Sequence, residues 1–147
     1  MTALLTFSMS GLPRGQGRPR ATARGGFASV YKDPKDRRYE ASVARVVQKA
    51  MGDRPPYQGA LTLSLRFRLP IPKSETKGIR AAMAAGQIAP TKKPDLSNLQ
   101  KAIEDGMNKI AFDDDAQIVR AVTLKIYAEQ PGVDVVLHRY APQGAEA

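Results

Sequence analysis

Between Lys92 and Val119 the chain reads KKPDLSNLQKAIEDGMNKIAFDDDAQIV, which gathers two lysines, a carboxylate opening a predicted helix, a lysine within it and three consecutive aspartates. Those residue types suit metal-assisted phosphodiester chemistry. Asp95 and the run Asp113, Asp114 and Asp115 offer hard oxygen ligands for a divalent cation, while Lys92 and Lys93 attract a nucleic-acid backbone. Lys101 is placed to face the phosphate. On a helical wheel of about 100° per residue, Leu96, Leu99, Ile103, Met107 and Ile110 form one apolar stripe. Asp95, Asn98, Lys101 and Asp105 follow its border at steps of three and four, where helix neighbours meet.

A plainer reading of the same spacing is an aspartate cap at Asp95 followed by solvated charges. The aspartate run weighs against it, because adjacent carboxylates repel one another and a cation relieves that repulsion. Turns also favour aspartate for backbone reasons alone, so an acidic turn remains the competing account. If the loop from Ile110 to Phe112 folds back, Asp115 approaches the start of the helix that Asp95 opens.

The elements that must position these residues are readable from periodicity. Leu4 to Met9 reads as a first strand and Phe27 to Tyr31 as a short one. From about residue 35 to 51, Tyr39, Val43, Val46, Val47 and Ala50 recur at helical steps, and Gly52 with Pro55-Pro56 ends the run. Leu61, Leu63, Leu65, Phe67 and Leu69 then alternate with polar residues as a strand buried on one face. A second main helix spans about 95 to 109, and strands follow at Ile118 to Ala128 and Val133 to Tyr140. Gln130-Pro131-Gly132 reads as a hairpin turn, which makes these last two strands antiparallel neighbours. The stretch from 13 to 26, with Arg14, Arg18, Arg20 and Arg24 among glycines and prolines, reads as a mobile basic loop able to clamp phosphates. Residues 70–92 form a long basic connection holding Lys73, Lys77 and Arg80, with one or two helical turns between Ile79 and Ala85.

At 147 residues the chain fits one domain, expected over 1–141 with a flexible tail at 142–147. Twenty-three Lys and Arg against 14 Asp and Glu leave a net charge of +9, which favours polyanionic partners and nucleic acid first. With no cysteine, disulfides and cysteine-ligated zinc or iron–sulfur centres are excluded, as suits a cytoplasmic protein. The apolar stretch Ala3 to Met9 is too short for a signal or a span, so no membrane partner is expected. The single histidine, His138, lacks partners for a triad or a histidine metal site and reads as structural. Gly15-Gln16-Gly17 completes no dinucleotide fingerprint, there is no phosphate-binding loop, and no small-molecule cofactor is expected.

The segment Lys93-Pro94-Asp95-Leu96-Ser97-Asn98-Leu99-Gln100-Lys101-Ala102, followed by Asp114-Asp115-Ala116-Gln117-Ile118-Val119, resembles the RusA family of Holliday junction resolvases. The order of strands, basic loop and helices is similar as well. The resemblance implies an α+β homodimer whose small mixed sheet, about four to five strands here, is backed by two main helices. It further implies a magnesium- or manganese-dependent endonuclease that nicks two strands of a four-way DNA junction symmetrically. By resemblance Asp95 is the first catalytic carboxylate, Lys101 the catalytic lysine and Asp115 the carboxylate after the second helix, with Asp114 assisting as a metal ligand. One position departs. Where the family usually reads D-x-D-N-L, Ser97 stands in place of the second aspartate, ahead of Asn98, so one anionic ligand is missing. Alternatively Ser97 and Gln100 form a capping box, and the protein binds branched DNA without cutting it well. A basic RNA-associated or assembly protein with a purely structural acidic turn is a third reading, supported by net charge alone.

Overall fold

The computed structural model describes residues 2–17, 20–22 and 29–142. In chain order the elements are β1 (Leu5–Ser10), β2 (Arg20–Thr22), β3 (Ser29–Tyr31), α1 (Pro34–Met51), β4 (Leu61–Pro70), α2 (Lys77–Ala84), α3 (Leu96–Met107), one 3-10 turn (Asp115–Gln117), β5 (Ile118–Ala128) and β6 (Gly132–Arg139). The run with the cleanest alternation, β4, becomes a central strand. It is antiparallel to β6 on one side and parallel to β5 on the other, giving a mixed sheet ordered β1-β6-β4-β5.

Alternation decides which face of that sheet is covered. Leu61, Leu63, Leu65 and Phe67 of β4 join Leu5 and Phe7 of β1 and Val133, Val135 and Leu137 of β6 in one core. Against them lie Val43, Val47 and Met51 of α1 and Leu99, Ile103 and Met107 of α3. Each of the larger side chains buried this way contributes roughly 1.5–3 kcal/mol relative to exposure. The result is the expected α+β architecture, a sheet backed by helices. α1 begins where Asp33 accepts the Lys35 N–H and Pro34 fills the first helical position, a conformation proline already favours. α1 and α3 approach so closely at Gly106 that an added Cβ would overlap the Val43 side chain. A glycine inside a helix, normally a cost, is required there for packing.

The last two strands are not neighbours, which corrects the hairpin expectation. β5 and β6 flank β4 on opposite sides, with Ala128 opposite Pro70 and Gly132 opposite Arg68, so residues 129–131 cross over the end of β4. Arg68 holds that crossing by donating to the Gln130 carbonyl at 2.7 Å. Gly132 serves close approach, not a turn: a Cβ there would overlap the Met9 carbonyl oxygen and the Arg68 guanidinium.

Parts of the stretch expected as a loop over 13–26 are held in place. Arg20–Thr22 pairs antiparallel with Ser29–Tyr31, and Gln16 donates its backbone N–H to the Asn98 carbonyl of α3 at 3.0 Å. Arg18, Arg24 and Phe27, like the tail from 143 to 147, lie outside the described residues. No helix among the described residues is long and apolar enough to cross a membrane.

Candidate active site

Asp95 occupies the cap position of α3 in an extended conformation, with its backbone carbonyl accepting the Leu99 N–H. Its carboxylate makes no capping hydrogen bond and stays exposed. Leading into it, the Lys93–Pro94 peptide is cis, and Lys125 of β5 donates to the Lys92 and Pro94 carbonyls at 2.8 and 2.9 Å. That leaves the Lys92 and Lys93 side chains exposed on a tethered loop. Gly15 packs on the same corner, where a Cβ would sit 3.0 Å from Pro94 Cβ and 3.2 Å from Asn98 Cβ. Beside it an open cleft of about 500 Å³ is lined by Leu12, Arg14, Lys35, Tyr39 and Pro94.

Ser97 is one residue inside the helix and exposed, so the Ser97–Gln100 capping box is not formed. The helix starts from Asp95, two positions earlier than that reading requires. Gln100 instead donates to Glu104 at 3.0 Å and accepts the Thr123 hydroxyl at 2.7 Å, tying α3 to β5.

Past α3 the chain does fold back. Lys109 takes a positive φ of 70°, its N–H reaches the Phe112 carbonyl at 2.8 Å, and the Phe112 ring is fully buried. The acidic turn is then built around Gln117, whose side-chain oxygen accepts the N–H groups of Asp113 and Asp114 while its amide donates to the Tyr57 and Gly59 carbonyls. This separates the three aspartates by role. Asp113 accepts from Gln58 at 2.8 Å, and Asp114 caps the 3-10 turn by accepting the Ala116 N–H at 3.1 Å. That backbone hydrogen bond is the first reason the Asp114 carboxyl is held below the usual carboxylate range.

Asp115 turns instead to α3, where its Oδ2 meets Lys101 Nζ at 3.0 Å. Lys101 is also 3.0 Å from Asp105, four residues on, and Asp105 in turn accepts from Lys32 at 3.2 Å. Lys32 completes the chain by reaching Glu40 of α1 at 3.0 Å. Hydrogen bonds to Asp105, then Asp115, lift the Lys101 ammonium well above the ordinary lysine range despite partial burial. Glu104 beside them is raised, chiefly by burial. Sequence spacing had placed Asp105 on the Lys101 ridge; Lys32 and Glu40 carried no signal, since only tertiary packing brings them to α3.

Among the basic residues, Arg14 is engaged inward. Its Nε lies 2.6 Å from Asp36, a buried carboxylate that also accepts the Gly17 N–H at 3.1 Å. Arg20 belongs to β2.

The oxygen donors suit a hard cation. Among the described residues no group of three or more histidine or acidic side chains is assembled for a metal. Magnesium does not require one, being commonly held by one or two carboxylates with waters and substrate phosphates completing the shell. Asp95 and Asp114 are exposed and the Asp115 side chain is 29% exposed, so none of the three is closed off from solvent.

Residues 10–138 match the model of a family described as "Endodeoxyribonuclease RusA". A Bacillus subtilis (strain 168) protein described as "Uncharacterized protein YqaN" is 30% identical over 135 residues, spanning 90% of this chain and 94% of its own length. Both halves of the motif, 93–102 and 114–119, fall within the matched span.

Proposed function

The chain belongs to the RusA endodeoxyribonuclease family, and from that premise we propose that it is a divalent-metal-dependent nuclease that resolves four-way DNA junctions by paired nicks. The observation that carries this reading is the 3.0 Å contact between Lys101 and Asp115, which joins the two motif segments across 14 residues of sequence. Asp95 and Asp115, with Asp114 assisting, are the residues that would hold Mg²⁺ or Mn²⁺. When bound, the ion supplies Lewis-acid polarisation of the phosphoryl group and a more acidic water.

The chain's own contribution is positioning and charge. Lys101, held between Asp105 and Asp115, presents an ammonium to neutralise charge developing on the phosphoryl oxygens, a preorganised electrostatic role. Lys32 and Glu40 fix Asp105 and so fix Lys101. Lys92 and Lys93, on the loop tethered by Lys125, meet the DNA backbone beside the cut, with Arg18, Arg20 and Arg24 as further contacts from another segment. A homodimer pairs two such sites on the near two-fold symmetry of a junction.

Cleavage of a synthetic four-way junction in Mg²⁺ tests the reading. Asp115→Asn should abolish cutting and leave junction binding largely intact, since this carboxylate only repels phosphate when no metal is present. Full turnover by Asp115→Asn would remove that residue from the site. Ser97 favours a second reading, a junction binder that cuts poorly, because its exposed hydroxyl brings no charge to the cation. Ser97→Asp should then move the metal dependence of cleavage to lower Mg²⁺; coincident titration curves would place Ser97 out of reach of the ion.

A further inference from the structure

A large cleft lies away from α3. About 610 Å³ in volume, it opens between α2 and the segment that crosses from β5 to β6, and Lys73, Lys77 and Arg80 line it. Lys77, Arg80, Ala81 and Ala84 recur at helical steps on one face of α2, while Met83 on another is buried. Glu129 is the one acidic residue on the lining. All three cations are exposed, and none makes an ion pair among the described residues.

That sets them apart from the cations that serve the fold. Arg14, Lys32, Arg66, Arg68 and Lys101 each rest on a carboxylate. Lys125 and Arg139 are spent on backbone carbonyls. Three like charges around a cleft whose lining holds the single carboxylate of Glu129, none of them in an ion pair among the described residues, leave a net positive charge that is slightly destabilising. A polyanion relieves the repulsion.

Position narrows the polyanion to the DNA already implicated. The cleft begins at Pro70 and Glu129, next to Ala128, which pairs with Pro70 in the sheet. Three residues back along β5, Lys125 holds the loop that displays Lys92 and Lys93. Both basic sites therefore lie toward the same end of β5.

We propose that Lys73, Lys77 and Arg80 form a second phosphate-backbone site, which grips the duplex arm leading away from the cut while Lys92 and Lys93 hold the DNA beside it. This rests on the nuclease reading, and the test separates the two. Binding to a synthetic four-way junction is measured across a salt series without divalent metal for the wild type and for Lys73→Gln/Lys77→Gln/Arg80→Gln. Each phosphate contact contributes about 0.9 to the log–log slope, so the triple variant should bind more weakly with a slope smaller by about 2 to 3. Lys73→Arg/Lys77→Arg/Arg80→Lys, which keeps the charge, should retain the wild-type slope. Arg37→Gln/Arg38→Gln/Lys49→Gln removes the same charge from exposed positions of α1 and should change the slope less. An unchanged slope in the cleft variant overturns the second site and leaves the nuclease reading standing. So does an equal loss in the α1 variant, which would make the effect one of net charge. A wild type that binds no junction overturns both.

Discussion

The cations around α3 and those around α2 are alike in type and opposite in circumstance. Lys101 and Lys32 stand in a chain of carboxylates running from Glu40 to Asp115, whereas Lys73, Lys77 and Arg80 face an open cleft without a partner. A net charge of +9 hides this division. Paired cations have fixed positions, which suits a group that must meet a reacting phosphate. Unpaired ones retain long-range attraction, which suits sequence-independent gripping of a backbone. Charge composition therefore indicates a polyanionic partner, and only the ion pairs show where each cation is free to meet it.

The largest effect that would break this comparison is on cleavage. Lys101→Met should lower single-turnover cutting at saturating Mg²⁺ by about 10²- to 10³-fold, the scale of removing one preorganised charge-stabilising donor. Its salt slope for junction binding should move by about one unit at most, in contrast to the α2 variant. A Lys101→Met protein that cuts normally but binds weakly would make Lys101 another gripping residue and erase the distinction.

Next in size is a stability effect at Arg14, a cation that sequence alone assigns to DNA. Arg14→Ala leaves the Asp36 carboxylate, whose side chain is 6% exposed, with the Gly17 N–H as its remaining partner. Stranding one member of a fully buried pair costs about 3–5 kcal/mol; with the Arg14 side chain 39% exposed, about 2–3 is expected. Urea unfolding measures it, and Arg14→Ala/Asp36→Ala should recover part of the loss. Wild-type stability in Arg14→Ala would return this arginine to the set of free cations.

What sequence could and could not disclose follows the same line. The periodicities of residues 34–51, 61–70 and 96–107 exposed both main helices and the central strand, because a buried face imposes its repeat on the residues that form it. Asp105 was visible beside Lys101 for the same local reason. Strand order was not: alternation says which residues face the core, not which strand lies alongside. The Pro131-Gly132 pair imitated a hairpin, although Gly132 answers to crowding by Met9 and Arg68. Lys32 and Glu40 reach α3 only through the packing of α1, and the division among Asp113, Asp114 and Asp115 depends on Gln117 and Gln58, which no short motif encodes.

The smallest effect concerns paired cations that join the strands of the sheet. On β4, Arg66 and Arg68 both meet Asp134 of β6, which also accepts the Ser8 hydroxyl of β1 at 2.9 Å. Burial raises the Asp134 carboxyl, but the hydrogen bonds from Arg66 and Ser8 and the charges of both arginines outweigh it, so the group lies below its ordinary value of 3.8. A carboxyl depressed in the folded state stabilises above its unfolded pKa and loses that contribution as pH falls through the folded one. Asp134→Asn should therefore cost stability at pH 7 and approach the wild type as pH falls well below 3.8. With Arg66 56% exposed, solvent screening limits the difference to roughly 1 kcal/mol. Urea unfolding of both proteins at pH 7 and in that acid range checks it. A gap that persists at low pH would mean that Asp134 acts through packing and hydrogen bonding. No gap at pH 7 would mean that two paired arginines add nothing to the sheet, and that pairing by itself does not mark a cation the fold requires.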